Sequence, residues 1–282
     1  MSRLAIITVC KNRLTHLKQS LPSFLSQKNS DVIVVDYDCP ERTCDYVSRQ
    51  YPGAKVIRVD NRKYFNNWEA RNIGATLAQS ELIAFVDADV ILSNEFADWV
   101  IAHIGPGAFG RMADATELNL HRDDKPGQSS NRFAGLLVVP RATFVDLGGY
   151  DHMLEGWGAG GDLDLYDRLQ FHGHRTVLLP EHLVKEGIQH SDDERTRFHR
   201  MNISRSHLIG TLYRVSKNAL MRQFAKELTL QEREKLYRLS TTAADQTAGS
   251  KSAQVDLLVV SRDAPGSNYR IEQTITTKVT WS

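Results

Sequence analysis

The sequence predicts an α/β fold with a mostly parallel central sheet. Short apolar runs of strand length alternate with segments that carry apolar residues at helical spacing. This alternation is typical of parallel strands that are joined by covering helices. Polar and acidic residues follow the first, second and fourth apolar runs. These are the positions at which such sheets bind ligands, beyond the carboxyl ends of the strands.

The first part of the chain supplies most of this sheet. The predicted strands are "RLAIITVC", "DVIVVDYD", "AKVIRVD" and a fourth within "ELIAFVDADVIL". The predicted helices are "THLKQSLPSFLSQ", "ERTCDYVSRQY" and "NNWEARNIGATLAQ". Pro22 lies inside the first of these helices and predicts that the helix is kinked or short.

From about Gly105 the regular alternation ends. "HRDDKPGQSSN" has the composition of a loop, and the elements that follow are a strand and short helix in "RFAGLLVVPRATFVDLGGYD", a helix in "DLDLYDRLQ" and a strand in "RTVLLPE". "KNALMRQFAKELTLQEREKLYRL" is helical, and Thr229 and Glu232 have the spacing of a capping box that begins a second segment. The chain then predicts a polar linker and a β-hairpin formed by "VDLLVVSRD" and "YRIEQTITTKVTW".

Composition excludes some classes of protein and favours a location. Thirty-five Lys and Arg balance thirty-four Asp and Glu, which argues against a nucleic-acid binder that depends on positive charge. The three cysteines lack the paired spacing of a zinc site or a disulfide framework and favour a reducing environment. No apolar run reaches the ~18–20 residues of a membrane span. We therefore expect a cytoplasmic protein that meets a lipid or polymer substrate from the cytosolic side.

Two pairs of carboxylates follow predicted strands. Asp87 and Asp89 lie two residues apart, so that on an extended strand they share a face and can approach one cation. The alternative is that the pair only ends the strand. Asp36 and Asp38 end a neighbouring strand, where a carboxylate can accept hydrogen bonds from a ribose or a base. Their alternative is a solvated turn.

The stretch "LEGWGAGGDLDLYDRLQ" places a tryptophan in a glycine-rich loop and then three aspartates in a helix. Trp157 is a large aromatic side chain in a loop of small residues, and one alternative is that it packs into the core. Asp162 lies at the predicted start of the helix, where it can serve as the N-cap. Asp164 lies four residues before Arg168, which predicts an ion pair on the helix surface.

Four segments resemble the β-1,4-galactosyltransferase group of glycosyltransferases. "CKNRLTHL" is similar to its first nucleotide loop, "FNNWEARNIG" to its F-N-R-A-x-x-x-N-V-G helix, "FVDADVIL" to its D-x-D strand, and "GGYDHMLEGWGAGGDLDL" to its G-W-G-x-E-D motif. "VIVVDYD" followed by "EARNIGATLAQSELIAFVDADV" resembles the family-two enzymes, and the GGYD-to-WG run resembles the polypeptide N-acetylgalactosaminyltransferases. The resemblance covers about residues 4–192 and implies the GT-A fold and the use of a nucleotide-sugar donor.

The resemblance also implies donor and metal positions. The nucleotide contacts fall on Asn12, Arg13, Asp36, Asp38, Phe65, Asn66, Arg71 and Asn72, with Asp87 at the ribose or sugar. The metal ligands fall on Asp89 and on His190 of "IQHS", with Asp87 beside them, and the implied ion is Mn²⁺ or Mg²⁺. Taken alone, His190 is more typical of a surface or packed histidine. The arginine of F-N-R is replaced by Asn67, and the group's methionine ligand falls on Gly187.

On the acceptor side, the resemblance implies that Asp162 is the general base and that Trp157 and Gly156 contact the sugar. The pattern departs from the group here, because Gly160 and Gly161 stand where glutamate and aspartate are expected. The glutamate contact is therefore missing. Asp151 or Glu155 could replace a displaced base.

Together these observations predict a metal-dependent transfer of a hexose, of galactose or N-acetylgalactosamine type, from a UDP-sugar to a hydroxyl acceptor with inversion. The acceptor is a glycan, a glycolipid or another hydroxyl compound. The alternatives are a catalytically impaired nucleotide-sugar-binding protein, which the missing glutamate favours, and a retaining transferase of the same fold. A nucleotidyltransferase needs a glycine-rich basic loop, and "VCKNRLTHL" contains no glycine.

The expected domain organisation follows from this resemblance and from the composition. The divisions are a glycosyltransferase domain (1–215), its nucleotide-binding half (1–104) and acceptor-binding half (105–215), a helical extension (216–245), and a linker with the hairpin (246–282). The hairpin either packs on the domain or pairs with another subunit to form an oligomer. No nucleic-acid partner and no integral membrane segment are expected.

Overall fold

The computed structural model describes residues 2–113, 135–189, 191–247, 250–262 and 270–281. The strands are β1 (Leu4–Cys10), β2 (Ser30–Tyr37), β3 (Lys55–Val59), β4 (Leu82–Phe85), β5 (Val90–Leu92), β6 (Ala108–Met112), β7 (Leu137–Pro140), β8 (Arg175–Leu179), β9 (Val184–Gly187), β10 (Ser252–Arg262) and β11 (Arg270–Thr280). The helices are α1 (Leu14–Leu25), α2 (Thr43–Gln50), α3 (Asn67–Thr76), α4 (Phe96–His103), α5 (Arg141–Asp146), α6 (Gly161–Phe171), α7 (Asp192–Thr196), α8 (Ile203–Phe224) and α9 (Leu230–Asp245).

The central sheet has seven strands in the order β3-β2-β1-β4-β7-β6-β8. Strand β1 is parallel to β2 and β4, β2 is parallel to β3, and β6 is parallel to β8. Among the described strands of this sheet, only β7 runs antiparallel to its neighbours, β4 and β6. The predicted α/β fold with a mostly parallel sheet is therefore confirmed. The carboxyl ends of β1, β2 and β4 lie together at one edge.

The segment "FVDADVIL" is not one strand, which corrects the expectation for its aspartates. Strand β4 ends at Phe85, and β5 begins at Val90 and pairs antiparallel with β9 in a separate two-stranded sheet. Asp87 and Asp89 therefore lie in the turn between β4 and β5 and not on an extended strand. Helix α4 and strand β6 were not predicted. "FADWVIAH" is apolar nearly throughout, and the turn residues Gly105, Pro106 and Gly107 separate it from β6.

Hydrophobic cores cover both faces of the sheet, as parallel sheets require. Alternate residues of β1 face opposite cores: Ala5, Ile7 and Val9 belong to one cluster and Leu4, Ile6 and Cys10 to the other. Helix α3 packs on the first side and α1 on the second. All seven residues of β1 are buried, which explains why its sequence is a continuous apolar run.

The C-terminal elements join the first of these cores. Helix α8 runs without interruption through residues 215 and 216, where a boundary was expected. Leu212 of α8, Leu236 of α9 and Val255 of β10 belong to the same hydrophobic cluster as the sheet residues. The predicted capping box of α9 and the β-hairpin of β10 and β11 are both confirmed. The hairpin packs on the domain, and its part in oligomerisation stays a prediction.

Within the parts of the chain that the structure describes, no helix has both the length and the apolar composition that crossing a bilayer would need.

Gly74 lets α3 approach the sheet closely enough to place its functional residues. A Cβ at Gly74 would lie 2.6 Å from Ile7 Cγ2 and 2.9 Å from Val35 Cγ2. We predict that Gly74→Ala lowers the free energy of unfolding by about 1–3 kcal/mol, because overpacking displaces α3. Urea denaturation measures this loss. Gly53→Ala is the control, since a Cβ there meets nothing within 4 Å. Equal effects of the two substitutions would contradict the prediction.

Candidate active site

The turn with Asp87 and Asp89 lies beyond the carboxyl end of β4. The backbone N–H of Val90 donates to the Asp87 carbonyl at 3.1 Å, which tightens the turn. The N–H of Ile188, just after β9, donates to the Asp89 carbonyl at 2.7 Å. The chain that follows β9 is thus brought to the second aspartate. His190, the predicted metal ligand, lies outside the described residues.

Arg71 of α3 joins this turn to the start of α6. Its Nη2 donates to Asp87 Oδ1 at 2.6 Å, and its Nη1 donates to Asp162 Oδ1 at 3.1 Å and to the Tyr150 hydroxyl at 2.9 Å. The side chain is nearly inaccessible to solvent. Burial alone would lower the pKa of Arg71, but Tyr150, Asp87 and Asp162 hold it above its usual value. A permanent positive charge therefore lies between two carboxylates from distant parts of the sequence.

Asp162 is a largely buried carboxylate at the start of α6. It is the second residue of α6, and its side chain is 14% exposed. The N-cap of α6 is Gly160, in a left-handed conformation with φ 81°, so the alternative that Asp162 is the N-cap is wrong. Burial raises the pKa of Asp162 to about 7; Arg71 opposes the shift and Asp87 adds to it. A carboxylate that titrates near neutral pH suits general base catalysis.

The loop that carries Trp157 and precedes α6, called here the tryptophan loop, packs on α8, and the Trp157 ring is partly exposed. Trp157 is 37% exposed, so it is not wedged into the core. Ser206 Oγ donates to the Trp157 carbonyl at 2.5 Å, and a Cβ at Gly156, whose φ is +94°, would lie 2.8 Å from Ser206 Cβ. A Cβ at Gly210 would lie 2.7 Å from the carbonyl carbon of Ala159. The loop backbone therefore rests directly on α8.

Asp151 is buried and cannot replace Asp162 as base, which corrects that expectation. Its Oδ2 accepts hydrogen bonds from the Tyr213 hydroxyl at 2.6 Å and from Lys217 Nζ at 2.9 Å. Arg233 lies 3.3 Å from its Oδ1. The Asp151 carboxylate thus links the GGYD turn (residues 148–151) to α8 and α9. Glu155 is about one-third exposed and lies 3.7 Å from Arg200, so its side chain remains at the surface of the tryptophan loop.

Asp164 and Arg168 do not form the predicted surface pair. Asp164 is fully buried and lies 2.5 Å from Lys217 Nζ, which therefore pairs with two buried carboxylates. Arg168 is also buried and donates to the Gly149 carbonyl at 2.7 Å and to Glu227 at 2.9 Å. Burial is the main cause of a raised pKa at Asp164. Through these pairs, the face of α6 that carries Asp164 and Arg168 packs against the C-terminal helices.

Asp36, an expected nucleoside contact, instead stabilises the loop that follows β2 through hydrogen bonds to its backbone. Asp36 has no accessible surface, and its carboxylate accepts from the N–H groups of Cys39 and Cys44, each at 2.7 Å, and from Arg58. Direct contact between Asp36 and a nucleoside therefore does not fit the geometry. Asp38 is 31% exposed, has φ 48°, and accepts from Arg58 at 3.1 Å. The solvated-turn alternative fails for Asp36 because its oxygens are engaged by protein donors.

Two asparagines expected at the nucleotide fix the backbone instead. Asn66 caps α3, since its Oδ1 accepts from the N–H groups of Trp68 and Glu69 at 3.1 Å. Asn72 holds the Tyr150 backbone from both sides, with its Nδ2 donating to the carbonyl and its Oδ1 accepting from the N–H, each at 2.9 Å. Asn72 thereby sets the position of the Tyr150 ring and hydroxyl.

The remaining predicted donor contacts are Asn12 and Arg13, in the loop after β1, and Phe65, just before α3. Asn12 has φ 57° and donates its N–H to Cys39 Sγ at 3.2 Å. Arg13 lies 3.6 Å from Glu194 of α7. Phe65 donates its N–H to the Phe198 carbonyl at 2.8 Å. These contacts draw the segment after α7 over the nucleotide side of the sheet.

Sequence reasoning missed two residues of the site. Lys11 is buried and donates to the carbonyls of Tyr37 at 3.2 Å and Arg62 at 2.6 Å, which joins the end of β2 to the loop after β3. Tyr150 links Arg71 to Asp162, with its hydroxyl 3.4 Å from Asp162 Oδ1. The GGYD motif was a signal for Tyr150. A lysine directly after an apolar strand carries no such signal.

The donor set of the turn suits a hard cation that shares its coordination with phosphate. The described residues contain no group of three or more His, Cys, Asp or Glu side chains that could hold a metal ion. Asp87 and Asp89 provide two carboxylates in a partly exposed turn. One or two carboxylates completed by substrate phosphates are the usual arrangement for Mg²⁺-type ions. The residues present therefore fit the ion implied by the sequence.

Comparisons with known proteins agree with the resemblance found in the sequence and with the fold. Residues 5–105 match the family model described as glycosyl transferase family 2, and residues 119–191 match the model described as the N-terminal domain of galactosyltransferase. The chain is similar to 4,4'-diaponeurosporenoate glycosyltransferase of Staphylococcus haemolyticus, with 35% identity over 100 residues. That region is 33% of this chain and 26% of the relative, so the chain matches only about a quarter of the relative's length.

Solved glycosyltransferase structures share the fold. One is the mannosyltransferase PcManGT of Pyrobaculum calidifontis in complex with GDP-Man and Mn²⁺, at 15% identity, 88% coverage of this chain, 75% coverage of that chain and a TM-score of 0.55. Another is TarS 1–349 of S. aureus in complex with UDP-GlcNAc, at 14% identity, 88% and 74% coverage and a TM-score of 0.58. The resemblance and the GT-A fold inferred from the sequence are thus confirmed.

Lys217 should be essential to the stability of this region. We predict that Lys217→Met lowers the free energy of unfolding by about 3–5 kcal/mol, because it removes the buried ammonium group that lies 2.9 Å from Asp151 and 2.5 Å from Asp164. Urea denaturation at pH 7 measures the change. In the control, Lys226→Met, the substituted lysine and its partner Glu232 are each about half exposed, and the cost should stay below about 1 kcal/mol. A small loss in both variants would contradict the proposed pairing.

Proposed function

We propose that this chain transfers a hexose from a UDP-sugar to a hydroxyl acceptor with inversion, and its two matched segments and its GT-A fold support a glycosyltransferase activity. The observation that carries the proposal is the Arg71 bridge. In this bridge the Arg71 guanidinium group donates hydrogen bonds both to Asp162, whose pKa is raised to about 7, and to Asp87 of the D-x-D turn. A proton acceptor and a donor-binding turn are thereby held at a fixed separation.

Glycosyl transfer breaks the bond between the anomeric carbon and the pyrophosphate and forms a bond to the acceptor oxygen. A divalent cation, Mn²⁺ or Mg²⁺, held by Asp89 and His190 with Asp87 beside them, would stabilise the negative charge that develops on the leaving nucleoside diphosphate. Asp162 takes the proton from the acceptor hydroxyl as it attacks. Attack from the face opposite to the leaving group inverts the anomeric configuration.

The electrostatics of the bridge support this role for Asp162. Burial favours the protonated acid, whereas Arg71, at 3.1 Å, favours the carboxylate. The opposing effects leave a base that is about half ionised at neutral pH and is basic enough to accept a proton. Arg71 also donates to Asp87, so its guanidinium fixes the two carboxylates relative to each other.

The donor class is supported by the neighbouring structures and by the loop after β2. PcManGT binds GDP-Man with Mn²⁺, and TarS binds UDP-GlcNAc. In this chain we assign the nucleoside contacts to Asp38, Asn12 and Arg13, and we assign Asp36 to shaping the loop that carries Asp38. The choice of UDP and of a galactose-type sugar rests on the match to the galactosyltransferase model.

The acceptor side is assigned to the loop before α6. Trp157 is partly exposed and offers a flat apolar face for a sugar ring, with Gly156 and Glu155 beside it. An acceptor hydroxyl on that ring would lie towards the start of α6, where Asp162 is found. The acceptor class is a glycan, a glycolipid or another hydroxyl compound. A cytoplasmic location, at the membrane surface for a lipid acceptor, is part of the same proposal.

Substitution of the base tests the reaction. We predict that Asp162→Asn lowers kcat by about 10²–10⁴-fold, the usual contribution of a general base, and leaves UDP affinity unchanged. Asp167→Asn, on the same helix and paired with Arg214, should keep full activity. Transfer is measured with UDP-sugar, Mn²⁺ and a panel of acceptors. Full activity of Asp162→Asn would refute the assignment, and tight UDP binding without turnover by the unmodified protein would identify a binding protein instead.

The pH dependence of the reaction follows from the same residue. Because the base must be ionised and the pKa of Asp162 is raised to about 7, kcat/KM should fall as the pH drops below 7 and level off above it. This acidic limb should be absent from the residual activity of Asp162→Asn. The profile is measured from pH 5.5 to 9 with a constant metal concentration. A rate that stays level down to pH 5.5 would show that no base with this pKa is used.

A further inference from the structure

Two departures from the galactosyltransferase pattern meet in space. Trp68 stands at the alanine of F-N-R-A, and Gly161 stands where an acidic residue is expected. A Cβ at Gly161 would lie 2.6 Å from Trp68 Cδ2 and 2.7 Å from Nε1, and it would be closer still to Cε2. These separations are far inside van der Waals contact. With the indole in place, glycine is the residue that position 161 accepts.

The indole is held between Gly161 and Tyr150. Trp68 is 8% exposed, and its ring stacks on Tyr150 with centroids 5.1 Å apart and an interplanar angle of 30°. The guanidinium carbon of Arg71 lies 5.6 Å from the Trp68 ring centroid. Stacked aromatic pairs and cation–π contacts restrain the ring to one orientation. Trp68 therefore packs as a rigid spacer between α6 and the GGYD turn.

The two residues that contact the Trp68 ring, Gly161 and Tyr150, are both connected to Asp162. Gly161 directly precedes Asp162 in α6, and the Tyr150 hydroxyl bonds to Arg71 and to Asp162. A displacement of the ring would move the first turn of α6 and the hydroxyl together. Trp68 itself need not touch the substrate for this effect, because it acts through its two neighbours.

We propose that Trp68 is a positioning residue for Asp162, and that the Trp68–Gly161 contact occupies the space of the acidic side chain that the sequence pattern leads one to expect there. The proposal rests on the proposed function for its catalytic consequence. The contact itself is independent of that function. It makes the effect of any side chain at position 161 depend on the residue at position 68.

A double-mutant cycle tests this dependence. Alanine is normally favoured over glycine in a helix, so Gly161→Ala should raise the unfolding midpoint wherever Trp68 no longer blocks it. In the unmodified background, Gly161→Ala should instead lower the midpoint and reduce kcat by about 10-fold or more, with donor KM little changed. In the Trp68→Phe and Trp68→Ala backgrounds the same substitution should be neutral or stabilising. Two backgrounds are used because the larger cavity in Trp68→Ala can impair folding.

An activity-independent readout separates positioning from stability. The titration of the Asp162 carboxyl group, followed by ¹³C NMR, should move to higher pH in Gly161→Ala, because displacement of α6 weakens the contact with Arg71. Trp99→Ala on α4, which removes a ring stacked on His103, is the control and should leave this titration unchanged. Additive effects in the cycle, or an unmoved Asp162 titration, would overturn the proposal. If no background transfers sugar, the proposed function fails, while the unfolding and NMR results still decide the contact.

Discussion

A buried guanidinium organises this site. Arg71 reaches Asp87 with one nitrogen and Asp162 and Tyr150 with the other. A buried charge is costly unless it is paired and hydrogen-bonded, so the fold must bring these three partners together. The planar fork of arginine suits this task, because it fixes direction as well as distance. The separation between the D-x-D turn and the start of α6 follows from that geometry.

Different parts of the fold hold Arg71 and the residues around it in place. Helix α3 lies close to the sheet because Gly74 has no side chain. Asn72, one residue after Arg71, grips the backbone of Tyr150. Helix α8 supports the tryptophan loop through Ser206, and its Lys217 pairs with carboxylates on both sides of that loop. The C-terminal helix α8 therefore supports the tryptophan loop and the start of α6 directly.

Local pattern in the sequence was sufficient for most of the central strands, most helices and the α9 capping box, because apolar spacing and capping are short-range signals. The resemblance to the galactosyltransferase pattern singled out Asp87, Asp162 and Trp157 as candidates. Neither was sufficient for the surroundings of these residues. Asp36 at a strand end has the same sequence signature whether its carboxylate faces a ligand or the N–H groups of its own loop. Burial decided between the two.

Partners that are distant in sequence account for the remaining errors. Asp164 has a basic residue four positions away, which favoured a surface pair, but Lys217 from another helix lies nearer. Asp151 was a plausible base until Tyr213 and Lys217 were seen to enclose it. The glycine at position 161 was read as a missing acid, whereas the structure shows an indole against it. None of these contacts is encoded within the length of a single helix or turn.

A crystal structure with UDP and Mn²⁺ tests the central claim most directly, since it shows the metal, the leaving group and the base together. The account predicts Mn²⁺ in contact with the Asp89 carboxylate and the pyrophosphate. It also predicts that Asp162 is still bonded to Arg71 and faces an open space beside Trp157, on the side away from the pyrophosphate. An ion that avoids Asp89, or an Asp162 carboxylate on the pyrophosphate side of the site, would contradict it.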